Sequence, residues 1–202
     1  MANRAETHQL ILTTAKELFS RFGPRRTTVA DIARELRMSP ANVYKFFPSK
    51  DAIIEAVGED FMAELHRTLF PLMRAPKPAW ARLEDVIRAV NRHFADLIET
   101  NVSRHGAQFF QNIIEFELLK REQKWRFVGE FLHCTLRLEI ANLLREGAEA
   151  GDLRVDDASG LAETFLDCLS CSIEPVMMIG LSRDVIESRL ERQLALLART
   201  VT

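Results

Sequence analysis

Three breaks, each marked by proline, fall between residues 22 and 49, and they allow only short helices between them. Ile11, Ala15, Leu18, Phe19 and Phe22 recur at spacings of three and four, the stripe of an amphipathic helix. Gly23-Pro24 ends it, because glycine frees the last turn and proline cannot continue the hydrogen-bond ladder. Thr28 stands three residues before Asp31, a capping-box start for a second helix whose buried side is Ile32, Ala33 and Leu36. Ser39-Pro40 then supplies an N-cap and a first-turn proline. The helix they start, Pro40 to Phe46, runs only until Phe47-Pro48 interrupts it. Ser49 caps a longer helix striped by Ile53, Ile54, Val57, Phe61, Leu65 and Leu69. Two short helices across a tight turn make a helix-turn-helix layout.

The remainder reads as helix too. Pro71, Pro76 and Pro78 predict a linker or corner over 71–78. Helices are expected at roughly 79–100, 104–122, 124–150, 156–179 and 183–200. No alternating β-branched run reads as a strand, and no repeat points to a solenoid. The expectation is an all-α chain of about nine helices. A three-helix helix-turn-helix domain over residues 1–50 would precede a larger helical bundle over residues 51–202.

Charge supports that division. The whole chain of 202 residues carries −2, which by itself argues against a polyanionic partner. Residues 1–50, however, hold nine bases against four acids, a net +5, which leaves −7 for the rest. A basic head on an acidic body is a local electrostatic footprint. No apolar run reaches the roughly 18–20 residues of a membrane span, and Met1 to Glu6 is not followed by the apolar stretch of a secretory signal. Three cysteines do not make a disulfide framework. A cytoplasmic location is expected.

The segment from Thr27 to Leu36, then Met38-Ser39-Pro40-Ala41-Asn42-Val43-Tyr44-Lys45-Phe46-Phe47-Pro48-Ser49-Lys50, closely resembles the DNA-binding domain of TetR-family transcriptional regulators. The resemblance covers roughly residues 8–57. It implies DNA-backbone contacts through Thr28, Tyr44 and Lys50, and base contacts through Ala41, Asn42 and Lys45. The residue chemistry agrees. Val43 and Phe47 share a face that would pack on Ile32 and Leu36, leaving Ala41, Asn42 and Lys45 outward, with Phe46 as a fourth candidate. Asparagine pairs with adenine edges, lysine with guanine or phosphate, and a small alanine allows close approach to a groove. Tyr44, the one tyrosine of the chain, suits a phosphate oxygen. Thr27, Thr28, Ser39, Pro40 and Lys50 lie at helix starts, where free N–H groups and the dipole attract phosphate. Arg25 and Arg26 are further candidates for phosphate or the minor groove. Asn42 and Lys45 stand where the family often has other residues, which bears on the operator sequence rather than the binding mode.

In the body, Trp80, Phe94, Phe109, Phe110, Phe116, Trp125, Phe127 and Phe131 are interspersed with His93, His105, His133, Gln108, Gln111, Asn112 and Glu115. Such a mixture fits a small-molecule cavity between helices and fits a plain core equally well. The resemblance implies an effector among these helices, with His93, Phe94, Phe109, Phe110, Asn112 and Phe131 as candidates. Near the C-terminus, Leu161, Phe165, Leu169 and Ile173 form one stripe, and Ile186, Leu190 and Leu194 begin another that Leu197 and Val201 extend. They serve either the subunit's own packing or a dimer interface. The family implies a dimer, which would set two reading helices about 34–36 Å apart.

Cys168 and Cys171 lie inside an apolar helix without a second ligand pair, so they read as buried hydrophobes rather than a metal site. His133-Cys134 is equally isolated. No phosphate loop, nucleophile elbow or zinc-protease motif is present. Neither cofactor nor metal is expected, and no enzymatic activity. The expected function is a ligand-responsive repressor binding a palindromic operator as a homodimer. The alternatives are an activator, an effector-independent regulator, or an all-α interaction module or enzyme that does not bind DNA.

Overall fold

A computed structural model describes residues 4–121 and 135–202, the side chains of 116–121 excluded. Those residues form ten α-helices and no strand, so the all-α expectation holds. They are α1 (Arg4–Phe22), α2 (Val29–Glu35), α3 (Pro40–Val43), α4 (Lys50–Met73), α5 (Ala79–His105), α6 (Ala107–Arg121), α7 (Leu136–Glu149), α8 (Ala158–Ile173), α9 (Pro175–Met178) and α10 (Arg183–Val201). None is long and apolar enough to cross a membrane. The chain forms two compact units. One joins Met1–Met62 with Thr100–Val128, the other Ala63–Glu99 with Gly129–Thr202.

In the first unit, Ile11, Ala15, Phe19, Ile32, Ala33, Val43, Phe47 and Ile53 make one buried cluster, with Leu36 and Phe46 at its margin. The turn between α2 and α3 closes α2 as a Schellman motif, with Arg37 N–H donating to Arg34 O and Met38 N–H to Ala33 O. Arg37 takes the left-handed position at φ 53° that glycine usually fills. Regular α-helix in α3 stops at Val43. Its hydrogen bonding continues as turns to Phe47, so the expected stub to Phe46 is present with a looser second half.

The second unit is built on α5, α7, α8 and α10, with Leu83, Ile87, Ile140, Leu144, Phe165 and Leu169 fully buried. Trp80 meets Phe165 edge to face, ring centroids 6.1 Å apart. Asn91 donates from α5 to Ser172 O on α8 at 2.6 Å. At the surface, the Arg88 guanidinium takes Glu191 of α10 bidentately at 2.9 and 3.0 Å. Arg183 reaches both Asp96 and Glu99.

Several expectations are corrected. Pro71 does not open a linker, because α4 continues through it to Met73. The loss of one hydrogen bond near the helix end is offset by Leu69 and Met73, both buried. The expected helix over 156–179 breaks at Glu174, whose extended backbone (ψ 123°) precedes Pro175. The apolar stripes of α8 and α10 are internal. Phe165, Leu169, Ile173, Ile186, Leu190 and Leu194 are at most 4 % exposed in a single chain, and Leu161 is half-buried. A side chain already covered by its own subunit has no area left for a partner. Cys168 is exposed and Cys171 half-buried, since they fall between the stripe positions and point away from the core.

Candidate nucleic-acid interface

The interface is assembled from helix starts. At α2, the Thr28 hydroxyl accepts Asp31 N–H at 3.1 Å while the Asp31 carboxylate accepts the Thr28 N–H at 2.9 Å. Arg34 joins Asp31 at 2.6 Å. The Thr28 hydrogen bonds, with Arg34 adding to them, hold the Asp31 carboxyl below its ordinary value. At α3, the Ser39 hydroxyl accepts Asn42 N–H at 3.3 Å, and Pro40 fills the first turn. At α4, Ser49 accepts Ala52 N–H at 3.0 Å.

Once Val43 and Phe47 are buried, the opposite face of α3 has to turn outward. Ser39, Pro40, Ala41, Tyr44 and Lys45 are exposed, Tyr44 to 50 %. Asn42 is half-buried, and its amide makes a weak contact of 3.9 Å with the Met38 sulfur. Lys50 is half-buried, and its ammonium donates to Arg25 O at 3.0 Å. Burial lowers its pKa against the opposing pull of Asp51 and Glu115. Thr27 is the exception among the predicted contacts. It is 2 % exposed, and its hydroxyl donates to Leu18 O and Gly23 O. Its side chain therefore joins α1 to α2 and faces no ligand.

Arg25, Arg26, Arg37 and Lys45 are all exposed. Arg37 was not singled out from sequence, because an arginine in the left-handed turn position leaves no compositional trace. Arg4 likewise, whose guanidinium lies over the Phe46 ring at 5.9 Å, could be placed only by tertiary packing. Small residues at the helix start, a hydroxyl and an ammonium beyond them, and cations around make a surface suited to a polyanionic groove.

Residues 11–57 match the family described as bacterial regulatory proteins, tetR family. The HTH-type transcriptional regulator UidR of Escherichia coli (strain K12) is 24 % identical over 164 residues, covering 79 % of this chain and 76 % of UidR. A TetR transcription regulator from Haloarcula marismortui shares the fold with a TM-score of 0.80 at 12 % identity, over 98 % of this chain and 100 % of that one. Thermus thermophilus FadR, a TetR-family repressor solved with lauroyl-CoA, gives a TM-score of 0.61 at 24 % identity over 95 % and 93 %. Residues 11–57 are thus a tetR-family segment, and the chain as a whole is similar to TetR-type transcriptional regulators. UidR, the Haloarcula marismortui protein and FadR are all regulators of transcription.

The effector candidates do not converge within either unit. His93 and Phe94 belong to the second unit, and Phe109, Phe110 and Asn112 to the first. Phe131, with Trp125, Phe127, His133 and Cys134, lies outside the described residues. Phe94 and Phe109 are each 4 % exposed, and Phe110 is half-buried. Burial holds the His93 imidazole below its ordinary pKa, against Glu64 and Asp96. Asn112 is fully buried with its amide bonded to α1, so it has no group to offer a ligand. Within the second unit, a cleft of about 590 Å³ opens elsewhere, between Phe70, Met73, Arg82, Leu143 and Glu146. No cluster of metal-ligating groups occurs among the described residues.

Proposed function

We propose that this regulator is a homodimeric, ligand-responsive repressor that reads a palindromic operator in the cytoplasm. The observation that carries the reading is the outward face of α3. Ala41, Tyr44 and Lys45 are exposed there while Val43 and Phe47 anchor the opposite side. In this reading residues 1–50 form the DNA-reading head and residues 51–202 the effector-binding and dimerisation body. Ala41, Asn42 and Lys45 read base edges. Thr28, Ser39, Pro40, Tyr44 and Lys50 hold the phosphate backbone through hydroxyls, helix starts and charge.

Dimerisation follows from the reach of one head, since a single short helix contacts few base pairs and a two-fold pair reads two half-sites. With the stripes of α8 and α10 internal, the dimer uses their outer faces, where Leu196 is 63 % exposed. Ligand response is supported by the aromatic content of the body and by the lauroyl-CoA complex of the similar Thermus thermophilus repressor. An effector acts by binding one arrangement of the two heads better. A preference of roughly 100-fold is about 2.7 kcal/mol of coupling.

The test is selection of bound duplexes from a random pool with the full-length chain. A two-fold symmetric consensus is expected, with affinity that falls steeply as salt rises. Recovery of unselected sequences, or of an asymmetric site, would overturn the reading.

A further inference from the structure

The junction between α1 and α6, within the first unit, has a feature that contact with DNA does not require. α1 ends at Phe22, and Gly23 follows at φ +85°. Gly23 N–H donates to Phe19 O at 2.9 Å. The next carbonyl along, that of Ser20, would accept from residue 24, but residue 24 is proline and has no N–H. Asn112 of α6 supplies the missing donor. Its Nδ2 donates to Ser20 O at 2.7 Å and to Phe19 O at 3.3 Å. Its Oδ1 accepts from Gln108 Nε2, one turn earlier on α6, at 3.2 Å. Asn112 is 0 % exposed, so leaving its amide unpaired would have no compensation from water.

Gly23 is the other half of the contact. A Cβ placed on it would stand 2.5 Å from Glu115 Oε2 and 2.9 Å from Asn112 Oδ1. A larger residue there would displace both side chains, in addition to straining the left-handed backbone. The same turn is held from two other directions. Thr27 donates back to Gly23 O at 2.9 Å, and Lys50 at the start of α4 donates to Arg25 O at 3.0 Å. Thr28, the N-cap of α2, follows this pinned segment directly.

Resting on the regulator reading above, we propose that Asn112 is a positioning residue for DNA recognition. By capping α1 from α6 it fixes the Gly23–Arg26 turn, and through that turn it sets the seating of α2, and of the base-reading α3 packed on it, in the groove. α6 is then mechanically part of the reading head.

The experiment uses the full-length chain and its selected operator. Asn112→Asp keeps the shape but replaces the donor with an acceptor facing two carbonyls. Asn112→Ser and Gly23→Ala serve as second variants should Asn112→Asp fold poorly. Operator and random-sequence affinities are measured by anisotropy at one salt concentration, and amide exchange is followed over residues 23–28 and over α7 and α8. The expected result is an operator affinity about tenfold weaker and random-DNA affinity changed less than threefold. Faster exchange over 23–28 with unchanged exchange in α7 and α8 should accompany it. A general loss of folded protein would instead lower both affinities together. An operator-to-random ratio within twofold of wild type, or unchanged exchange over 23–28, would overturn the assignment of Asn112. A wild-type chain that prefers no duplex would overturn the regulator reading itself, and the proposal with it.

Discussion

Thr28 and Asp31 cap each other, each accepting the other's backbone N–H through its side chain. The Asp31 carboxylate is the acceptor in three of these contacts, from the Thr28 amide, the Thr28 hydroxyl and Arg34. Its folded pKa is therefore depressed below the ordinary 3.8. A depressed carboxylate contributes stability that is present above 3.8 and is lost as pH falls through the folded value. Asp31→Ala should cost about 1 kcal/mol near neutral pH, the usual worth of such a cap. Denaturant midpoints should show the gap to wild type narrowing below pH 3.8. A gap that stays constant with pH would refute the role of the carboxylate.

Tyr44 and Lys45 are exposed on the face of α3, and they should separate in a salt titration. Tyr44→Phe removes one phosphate-directed hydroxyl, and binding to operator and random DNA should weaken together, by roughly 10- to 100-fold for a hydrogen bond to a charged group. Lys45→Ala should flatten the slope of log affinity against log salt by about 1 if its ammonium neutralises a phosphate. An unchanged slope with altered base preference would place Lys45 on a guanine edge.

Arg37 sits at φ 53° in the turn between α2 and α3. A left-handed conformation costs a side-chain-bearing residue roughly 1–2 kcal/mol, and glycine escapes that cost while adding some chain entropy. Arg37→Gly should stabilise the chain by about 0.5–1 kcal/mol, a rise of about 2–4 °C per kcal/mol for a chain of this size. A calorimetric midpoint that falls would show that Arg37 makes contacts outweighing its strain.

Phe165 distinguishes internal packing from dimer packing. It is 0 % exposed in the single chain and meets Trp80. Phe165→Ala should cost about 3–5 kcal/mol, as for other buried aromatics. That loss should not depend on protein concentration, whereas an interface residue would show a concentration-dependent midpoint.

Leu196→Glu, on the exposed side of α10, should shift sedimentation from dimer to monomer with little change in thermal midpoint. A variant that remains dimeric would move the interface away from this face.

The start of each head helix was legible in the sequence because a cap acts within one turn. Thr28 with Asp31, Ser39 with Pro40 and Ser49 with Ala52 are partners at most three residues apart. The anchors Val43 and Phe47 were legible from helical spacing. Thr27 was misread, because a threonine beside an N-cap looks the same in sequence whether it faces solvent or, as it does, Leu18 O.

By itself the amino-acid order determined the breaks, the caps and which residues of each helix must leave water, since proline geometry, local hydrogen bonds and apolar periodicity are properties of neighbouring residues. Tertiary structure alone decided what those faces meet. It turned the stripes of α8 and α10 inward, kept Pro71 helical between Leu69 and Met73, and brought Asn112 to a carbonyl 92 residues away. An apolar stripe specifies that a surface is covered but not by what, and an amide specifies that it needs a partner but not which, so both are resolved only when distant segments pack.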